Sequence, residues 1–434
     1  MRRYRQRLAL CLLGVACSIS WGAPGPSLQS GAVLLDADGR VSEVLQLADQ
    51  RLSLMPGVAA WKWQHHSAVR DPQREQAVVT RAVALAEPLG LAASGVRPLF
   101  EQQIALADEV ESDLVATWMR DGYSFSGPVP SLADEVRPRL DQLTVQWLHA
   151  LYLAAPELRR PGFQSRYTGL AEQVLASTGW SVRSRSDLLA ALAAVRSVPG
   201  PALERIKASG LLRVGTTGDY APFSVESGGR VSGIDIELAR ALAAELHVEA
   251  AFIRTSWATL NADLSDGQFD IAVGGISSTP ARAAVAELSP PYLSGGKTFI
   301  ARCRDGLGFV DLSAVDRPGV RVIVNPGGTN EQYARANLHR AQLHVHADNR
   351  TVFDEIRAGR ADVMITDDVE VLLQTRRHPD LCRPFAGTLT HADKVMLIQR
   401  DPALAAAVSS WLKDELAHAT PMRLLDEELS RTAP

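Results

Sequence analysis

The strongest constraint on the fold of this chain is a change of sequence pattern near residue 200. From Val41 to about Val198, apolar residues recur at intervals of three and four, which is typical of amphipathic helices. After this point, short apolar runs alternate with helical segments, which indicates a parallel sheet covered by helices. The sequence therefore predicts a multidomain protein with an all-α half followed by an α/β half, and 434 residues suffice for both.

The pattern also predicts where individual elements lie. In the first half, N-caps are expected at Ser131 and Ser186, and helices at 72–88, 95–120, 132–154, 161–178 and 186–197. In the second half, strands are expected at 211–215, 250–253, 271–274, 320–324 and 363–366, with helices at 234–246, 257–264, 329–340 and 350–358. We expect domains at 23–198 and 203–434, joined by a linker at 199–202.

Residues 1–22 have the composition of a signal peptide. Four arginines precede Leu8–Ala16, an apolar run too short to span a bilayer, and the last three residues have the small-x-small pattern of a cleavage site. Cys17 weakly resembles a lipoprotein site, but leucine is missing from the usual third position before it. We therefore expect a mature chain that begins at Ala23, is exported to the periplasm and contains no later membrane-spanning segment.

Two cysteines remain after removal of this leader, Cys303 and Cys382. In an oxidising compartment an isolated pair favours a disulfide over two free thiols. The sequence offers no third or fourth ligand at a recognisable metal-binding spacing, so we expect no metal. The net charge of −4 favours neither nucleic acid nor an anionic membrane as a partner, so anionic ligands would depend on a few placed Arg and Lys residues.

Charged residues recur on the helices of the first half. Arg51 and Lys62 are eleven residues apart, close to three helical turns, so they share a face if the helix continues past Pro56. Arg74 opens the next helix, and Glu111 lies on a third. These side chains would form a polar pocket within a helical bundle, or, in the simpler interpretation, an ordinary solvated face.

Three short motifs decide between these interpretations. In order along the chain, they are Gln50-Arg51-Leu52, Val58-Ala59-Ala60-Trp61-Lys62-Trp63 and Asp71-Pro72-Gln73-Arg74-Glu75. Together they resemble the all-helical, secreted class of chorismate mutase over residues 40 to 195. The resemblance implies a rearrangement of chorismate to prephenate without a cofactor or a covalent step, in which the protein holds a dianion in a compact conformer.

The resemblance also implies a role for each charged residue. Arg51 and Arg74 would hold the two carboxylates of chorismate, and Lys62 would face the ether oxygen of the breaking bond. Asp71 would accept the substrate hydroxyl or orient a cation. Glu111 would be the second donor to the ether oxygen, which requires a proton and therefore predicts a raised pKa or better activity at mildly acid pH.

The helical half departs from this family at two positions. Gln146 stands near the place where members often carry a further arginine, so the fourth cation is missing there unless Arg137 or Arg139 replaces it. Ala107 stands where a small polar residue is expected, one turn before Glu111.

The α/β half resembles the type 2 periplasmic solute-binding proteins, in particular those for amino acids, from about Leu203 to the C-terminus. Its motifs include 214–223, 233–239, 257–260, 267–272 and 274–282. The resemblance implies two lobes, the second at about 302–393, with crossing strands at 297–301 and 394–399. Arg282 would clamp a ligand carboxylate and Asp367 a ligand amino group, while Trp257 and Tyr220 would line the cleft unless they are packing residues.

A glycine turn leads from a predicted strand into a helix at Asn325-Pro326-Gly327-Gly328-Thr329-Asn330-Glu331. Such a turn offers free N–H groups to an anion, and Glu331 would by itself be an ordinary first-turn acid. With 217–220, which contains Asp219, and 291–298, the motif resembles cyclohexadienyl dehydratase, which also has the pattern of Cys303 and Cys382.

That resemblance implies conversion of prephenate to phenylpyruvate or of arogenate to phenylalanine. Glu331 would be the general acid, with its pKa raised by a dry cleft, and Thr329 would help to hold the second carboxylate.

The two resemblances imply consecutive reactions, because the product of the first half is the substrate of the second. The sequence therefore predicts an exported bifunctional enzyme for chorismate, prephenate and arogenate, with no cofactor and no nucleic-acid partner. The alternative is a chorismate mutase fused to a non-catalytic module that binds an amino acid for transport or sensing.

Overall fold

The structure is a computed structural model, and it describes residues 32–122, 128–177, 179–306 and 308–431. The expected leader, its cleavage site and Cys17 lie outside these residues. In the described part of the chain, no helix combines the length and the apolar character needed to cross a membrane.

The first half is a bundle of helices around an apolar core that includes Phe100, Trp147 and Tyr152. In chain order, its elements are β1 (Ala32–Leu35), α1 (Ala37–Ser53), α2 (Met55–Gln64), α3 (Pro72–Ala86), α4 (Ala93–Asp121), α5 (Arg137–Leu158), α6 (Phe163–Val174) and α7 (Val182–Ala194). The helix breaks between α1 and α2, where Pro56 begins a new turn. Ser131 caps the helical turn Leu132–Val136 that leads into α5, as predicted. The cap of α7 is Ser181 and not Ser186.

The expectation of a purely helical first half is wrong at its start. Residues Ala32–Leu35 form a strand, and this strand belongs to the sheet of the second half. It pairs antiparallel with a strand near Val231 and parallel with a strand near Phe252. A four-residue apolar run is too short for its periodicity to reveal a partner roughly 200 positions away in the sequence.

The first lobe of the α/β half is a sheet flanked by helices. Its elements are α8 (Ala202–Ser209), β2 (Leu211–Thr216), β3 (Asp219–Tyr220), β4 (Ser224–Ser227), β5 (Arg230–Ser232), α9 (Ile234–Glu245), β6 (Glu249–Arg254), α10 (Leu260–Ser265), β7 (Ile271–Ala272), α11 (Pro280–Ala283) and β8 (Glu287–Leu288). The strand order is β3-β4-β5-β1-β6-β2-β7, followed by a late strand and β8. Strand β2 is parallel to both β6 and β7, as the alternating pattern predicts.

The second lobe has its own sheet. Between the lobes lies β9 (Leu293–Gly295), followed by β10 (Lys297–Arg302), α12 (Cys303–Gly306), α13 (Leu312–Val315), β11 (Arg321–Val324), α14 (Thr329–Asn337), β12 (Gln342–Val345), α15 (Val352–Arg357), β13 (Val363–Asp367), α16 (Asp368–Arg377) and β14 (Leu381–Cys382). The strand order is β12-β11-β13-β10-β14. A disulfide joins Cys303 and Cys382, whose Cα atoms are 4.8 Å apart, and this is the pairing that the sequence favours.

The chain then returns to the first lobe through β15 (Ala392–Lys394), β16 (Leu397–Ile398), α17 (Pro402–Ala417) and α18 (Thr420–Arg431). The crossing strands differ from the expected ones. Residues 297–302 form a full strand of the second lobe, and the crossing is made by β9 and β15, which pair with each other. The crossing therefore lies a few residues before each predicted segment.

The linker at 199–202 is short and is held at both ends. The Val198 N–H donates to the carbonyl of Gly90 in the helical half, 2.7 Å away. On the other side, the Ala202 N–H donates to the carboxylate of Asp401 at the start of α17. The connection between the halves is thus a fixed turn in this structure.

Candidate active sites

The helical half brings Lys62 and Glu111 together in a partly buried ion pair. Lys62 lies in the last turn of α2 and Glu111 on α4, and the Lys62 Nζ is 2.7 Å from the Glu111 Oε2. The ammonium also donates to the carbonyl of Val69. The two residues are 49 positions apart in sequence, so only the packing of α2 on α4 makes them neighbours.

The pKa of Glu111 is raised above its ordinary value. Burial is the largest cause, Lys62 opposes it, and the nearby carboxyl groups of Asp108 and Glu75 add to it. This direction agrees with the requirement for a protonated glutamate. The pKa of Asp108 is raised too, again mainly by burial.

Arg51 is buried in the core of the bundle, at the end of α1. Its Nη1 donates to the Thr144 Oγ1 at 2.7 Å and to the carbonyl of Leu140 at 3.3 Å, both on α5. The guanidinium lies 5.3 Å from the ring of Phe100 and 5.7 Å from that of Trp147. Its buried Nε has no hydrogen-bond partner among the described residues, and burial lowers the pKa of Arg51 to about 10. Arg51 is therefore a core cation that has one buried donor without a partner among the described residues.

Asp71 and Arg74 lie at the exposed start of α3. The Asp71 carboxylate caps the helix by accepting from the Arg74 N–H at 3.1 Å, and the Glu75 carboxylate accepts from the Asp71 N–H at 2.9 Å. The two hydrogen bonds resemble a capping box, except that Glu75 stands one residue beyond the position that a capping box uses. The structure thus gives Asp71 a helix-capping role, and Arg74 is a surface side chain that has to turn inward to meet a substrate.

No cation replaces the arginine that is missing near Gln146, as far as the described residues show. Arg137 is exposed. Arg139 is exposed as well, but its Nη2 donates to the Gln50 Oε1 at 3.2 Å, and Gln50 directly precedes Arg51 in sequence. Arg139 is therefore the better placed of the two candidates.

In the α/β half, the two lobes meet at a cleft that contains most of the residues expected there. Its lining comes from the ends of strands in both lobes and consists of Tyr220, Trp257, Gly275, Ser277, Arg282, Asn325, Gly328, Thr329, Asn330, Asn349 and Asp367. The hydrogen bonds that span the lobes include Tyr220 Oη to Asp367 Oδ2 at 2.7 Å and Asn349 Nδ2 to the carbonyl of Asp219 at 2.9 Å. The cleft is therefore closed in this structure.

Asp367 lies at the centre of the cleft between two buried lysines. The Lys394 Nζ is 2.5 Å from one oxygen and the Lys297 Nζ is 3.2 Å from the other. Lys297 also donates to the Thr329 Oγ1 at 3.0 Å. Burial disfavours the ionised form of Asp367, but the two ammonium groups outweigh it and hold its pKa well below the ordinary value. Both carboxylate oxygens thus already have cationic partners, and Tyr220 adds a third donor.

Arg282 lies at the wall of the cleft, as expected of a carboxylate clamp. Its Nη1 donates to the carbonyl of Ser277 at 2.6 Å, and its guanidinium faces the Trp257 ring at 6.0 Å. Burial lowers the pKa of Arg282 to about 10. Trp257 in turn donates to the Asp219 Oδ1 at 3.0 Å, and burial raises the pKa of Asp219.

The expectation of a raised pKa for Glu331 is wrong in this structure. Its carboxylate accepts from the Gly327 N–H at 2.7 Å and lies 2.7 Å from the Arg335 guanidinium, while its side chain is 18% exposed. The Gly327 N–H and Arg335 lower its pKa instead of raising it. Glu331 thus caps its own turn, and among the described residues no glutamate belongs to the lining of the cleft.

The raised pKa that was expected for Glu331 is found at a different carboxyl group, that of Glu370. Glu370 is 2% exposed and lies on α16, one turn after Asp367. Burial and the negative charge of Asp367 raise its pKa to about 8, against the opposing effect of the Thr366 hydroxyl, which donates to it. The same hydroxyl accepts from the Asn330 Nδ2 at 3.1 Å, so Glu370 adjoins the cleft through Thr366.

Lys297, Lys394 and Glu370 are the site residues that sequence reasoning missed. Each lysine begins a largely apolar run, Lys297-Thr298-Phe299-Ile300 or Lys394-Val395-Met396-Leu397. A lysine in such a run is rarely buried without a polar or charged partner, which indicates a site beside it. That signal was present for both lysines. The sequence signal for Glu370 was weaker, because acidic residues are common in the first turn of a helix. Only its burial distinguishes Glu370 from such residues.

Two family profiles match this chain. Residues 42–112 match chorismate mutase type II, and residues 212–425 match the bacterial extracellular solute-binding proteins of family 3. A solved amino acid ABC transporter substrate-binding protein from Streptococcus pneumoniae, bound to L-arginine, is 26% identical and superposes with a TM-score of 0.50. The match covers 53% of this chain and 98% of that one.

Two relatives are similar in the separate halves. A cyclohexadienyl dehydratase from Pseudomonas aeruginosa is 47% identical over 217 residues, which is 48% of this chain and 79% of that protein. A secreted chorismate mutase from Yersinia pestis is 31% identical over 105 residues, 24% of this chain and 55% of that protein. This chain thus spans about half the length of the latter relative.

Proposed function

This chain belongs to the cyclohexadienyl dehydratase family through its α/β half and carries a chorismate mutase type II domain in its helical half, and we propose that it is an exported bifunctional enzyme. The helical half rearranges chorismate to prephenate. The α/β half then removes water and carbon dioxide from prephenate to give phenylpyruvate, or from arogenate to give phenylalanine. The relatives described as extracellular and secreted support export to the periplasm.

The mutase reaction needs positioning and charge stabilisation but no group transfer. Arg51 offers a buried cation with a free donor for one carboxylate of chorismate. Lys62 and protonated Glu111, which are 2.7 Å apart, face the ether oxygen as it gains negative charge. In this proposal, Arg74 turns inward to hold the second carboxylate, and Asp71 orients that loop.

The dehydratase reaction needs a proton for the leaving hydroxyl and cations for two carboxylates. Arg282 pairs with the side-chain carboxylate of the substrate. Lys297 and Lys394 give the cleft a positive excess over Asp367, which attracts a dianion. Thr329 and the N–H groups that open α14 complete the anion site.

The observation that carries this proposal is the closed cleft, in which Lys297 and Lys394 bind Asp367 and Arg282 lies at the wall. For the general acid we propose Glu370, which is buried beside the cleft behind Thr366 and whose pKa is raised by burial to about 8. Its proton passes to the ring hydroxyl, the C–O bond breaks, and water leaves. The electrons of the bond to the ring carboxylate move into the ring, which becomes aromatic as carbon dioxide departs. Glu370 thus takes the role that the sequence assigned to Glu331.

The alternative is a binding module for amino acids, a ligand class that the arginine-bound structural relative represents. An amino acid needs an acceptor for its ammonium group. Asp367, the expected acceptor, already binds Lys297, Lys394 and Tyr220. This arrangement favours anionic substrates that lack an amino group, and we propose prephenate as the better of the two.

Chorismate supplied to the mature protein tests both halves at once. We expect chorismate to disappear and phenylpyruvate to accumulate, with prephenate as a transient intermediate, as followed by liquid chromatography. Accumulation of prephenate alone would mean that the α/β half is not a dehydratase. In that case, calorimetric titration with amino acids would show whether it is a binding module.

A further inference from the structure

Strand β1 is an integral part of the first lobe, although it precedes the helical half in sequence. It lies between β5 and β6: Ala32 and Val33 pair with Val231 and Arg230, while the second half of the strand pairs with β6. In the sheet, the ribbon of β3, β4 and β5 therefore reaches β6 only through β1. The residues just before the mutase helices thus complete the dehydratase sheet.

The side chain of Leu34 packs beneath the turn that carries two cleft residues. Leu34 is 6% exposed and belongs to the apolar core that contains Tyr220. A Cβ atom placed on Gly218 would lie 3.2 Å from the Leu34 Cδ2, so the two residues are in close contact. Gly218 has a φ of +70°, which favours glycine, and the next residues are Asp219 and Tyr220.

The position of β1 is fixed by polar contacts that lie just after it. One turn into α1, the Arg40 guanidinium donates to the carbonyl of Leu153 in the helical half at 2.8 Å and to the Gln268 Oε1 of the first lobe at 3.1 Å. Nearby, Arg213 binds Asp270 at 2.6 Å and lies over the Tyr152 ring at 4.9 Å. The helical half and the first lobe therefore share a buried polar interface, and β1 is anchored within it.

We propose that β1 is a positioning element of the dehydratase site, with Leu34 as its positioning residue. Leu34 holds the 217–220 turn so that Tyr220 reaches Asp367 and Asp219 meets Trp257 and Asn349. This inference rests on the proposed dehydratase function of the cleft. It follows that residues 203–434 alone form an incomplete dehydratase, because the mutase half provides one of its strands.

The test compares Leu34→Ala with Val33→Ala in the full mature chain. Val33 is the matched control because it lies on the same strand and is 54% exposed. For Leu34→Ala, we expect the KM for prephenate to rise by roughly tenfold to a hundredfold with a smaller change in kcat, since a misplaced turn weakens substrate positioning. Chorismate turnover should stay unchanged in both variants, which shows that the chain is folded, and Leu34→Met should restore the KM.

Amide hydrogen exchange separates this inference from the proposed function. In Leu34→Ala, the amides of residues 217–220 should exchange faster, whereas in Val33→Ala they should match the wild type. If wild-type protein does not turn over prephenate, the proposed function fails while the exchange comparison still tests β1. Equal KM values and equal exchange in the two variants would overturn the role of β1.

Discussion

Each half of the chain buries one glutamate at its candidate site, but the two glutamates accept hydrogen bonds from different kinds of donor. Glu111 in the helical half forms an ion pair with Lys62, and this cation opposes the effect of burial on its pKa. Glu370 in the α/β half accepts from a neutral hydroxyl, and the nearby Asp367 adds to the effect of burial. Burial thus raises the pKa of both carboxyl groups, and the directly bound donor, an ammonium for Glu111 and a hydroxyl for Glu370, is the difference.

This difference suits the two reactions. A mutase needs hydrogen-bond donors around an ether oxygen, and an ammonium beside a carboxyl group with a raised pKa can supply them. A dehydratase transfers a proton completely to a leaving group, which requires an acid that retains its proton at neutral pH. The following variants change the neighbours of each glutamate, or the glutamate itself.

The largest expected effect comes from Glu370→Gln. This change keeps the size of the side chain but removes the proton, so prephenate turnover should fall by about 10²- to 10⁴-fold. Chorismate turnover should be unaffected, because the mutase site lies in the other half. Steady-state rates with each substrate, measured on one preparation, provide the comparison.

Glu331→Gln is the matched control for this variant. Glu331 is also a first-turn acid in the second lobe, but its carboxylate is ionised and bound to Gly327 and Arg335. We expect prephenate turnover within a few-fold of wild type and a small loss of stability, about 0.5–2 kcal/mol, from the weakened turn. Loss of dehydration in Glu331→Gln with retention in Glu370→Gln would make Glu331 the general acid instead.

The next largest effect is expected from Lys62→Ala. Removal of one donor to the developing negative charge should lower chorismate turnover by about 10²- to 10³-fold. Prephenate turnover should remain at the wild-type rate. The pKa of Glu111 should rise further, because the cation that opposes burial is gone. A normal mutase rate in this variant would contradict the assignment of the site.

The sequence predicts only part of the helical site, and the reason is physical. The helical period places Arg51 and Lys62 on one face, but it does not distinguish a polar pocket from a solvated face, and only the resemblance to chorismate mutase assigned Arg51, Lys62 and Glu111 to a site. The same pattern says little about Asp71 and Arg74, because they occupy the exposed first turn of α3, where capping competes with ligand binding.

In the α/β half, the order of strands and helices is predicted well, but the acid is not. Glu331 and Glu370 both follow a strand and open a helix, so their local sequences are equivalent. What separates them is the depth at which each side chain lies, which depends on the packing of α16 against β10 and β13. Strand β1 was missed for a related reason: its partners, Val231 and Phe252, are remote in sequence.

The smallest expected effect, and the most specific, is on pH dependence. In the proposed mechanism Glu370 acts in its protonated form, so kcat/KM for prephenate should be level below about pH 8 and fall about tenfold per pH unit above it. Mutase activity should also decline as the pH rises, because the pKa of Glu111 is raised and its protonated form is the active one.

The free energy of unfolding should also decrease as the pH rises. A carboxyl group with a raised pKa in the folded state stabilises the fold at low pH relative to high pH, and this contribution is lost as the pH rises from 4.5 through about 8 for Glu370. The difference in unfolding free energy between wild type and Glu370→Gln should therefore change over this range, as measured by urea denaturation at several pH values. A constant difference would mean that Glu370 titrates near its ordinary pKa, and the contrast with Glu111 would then disappear.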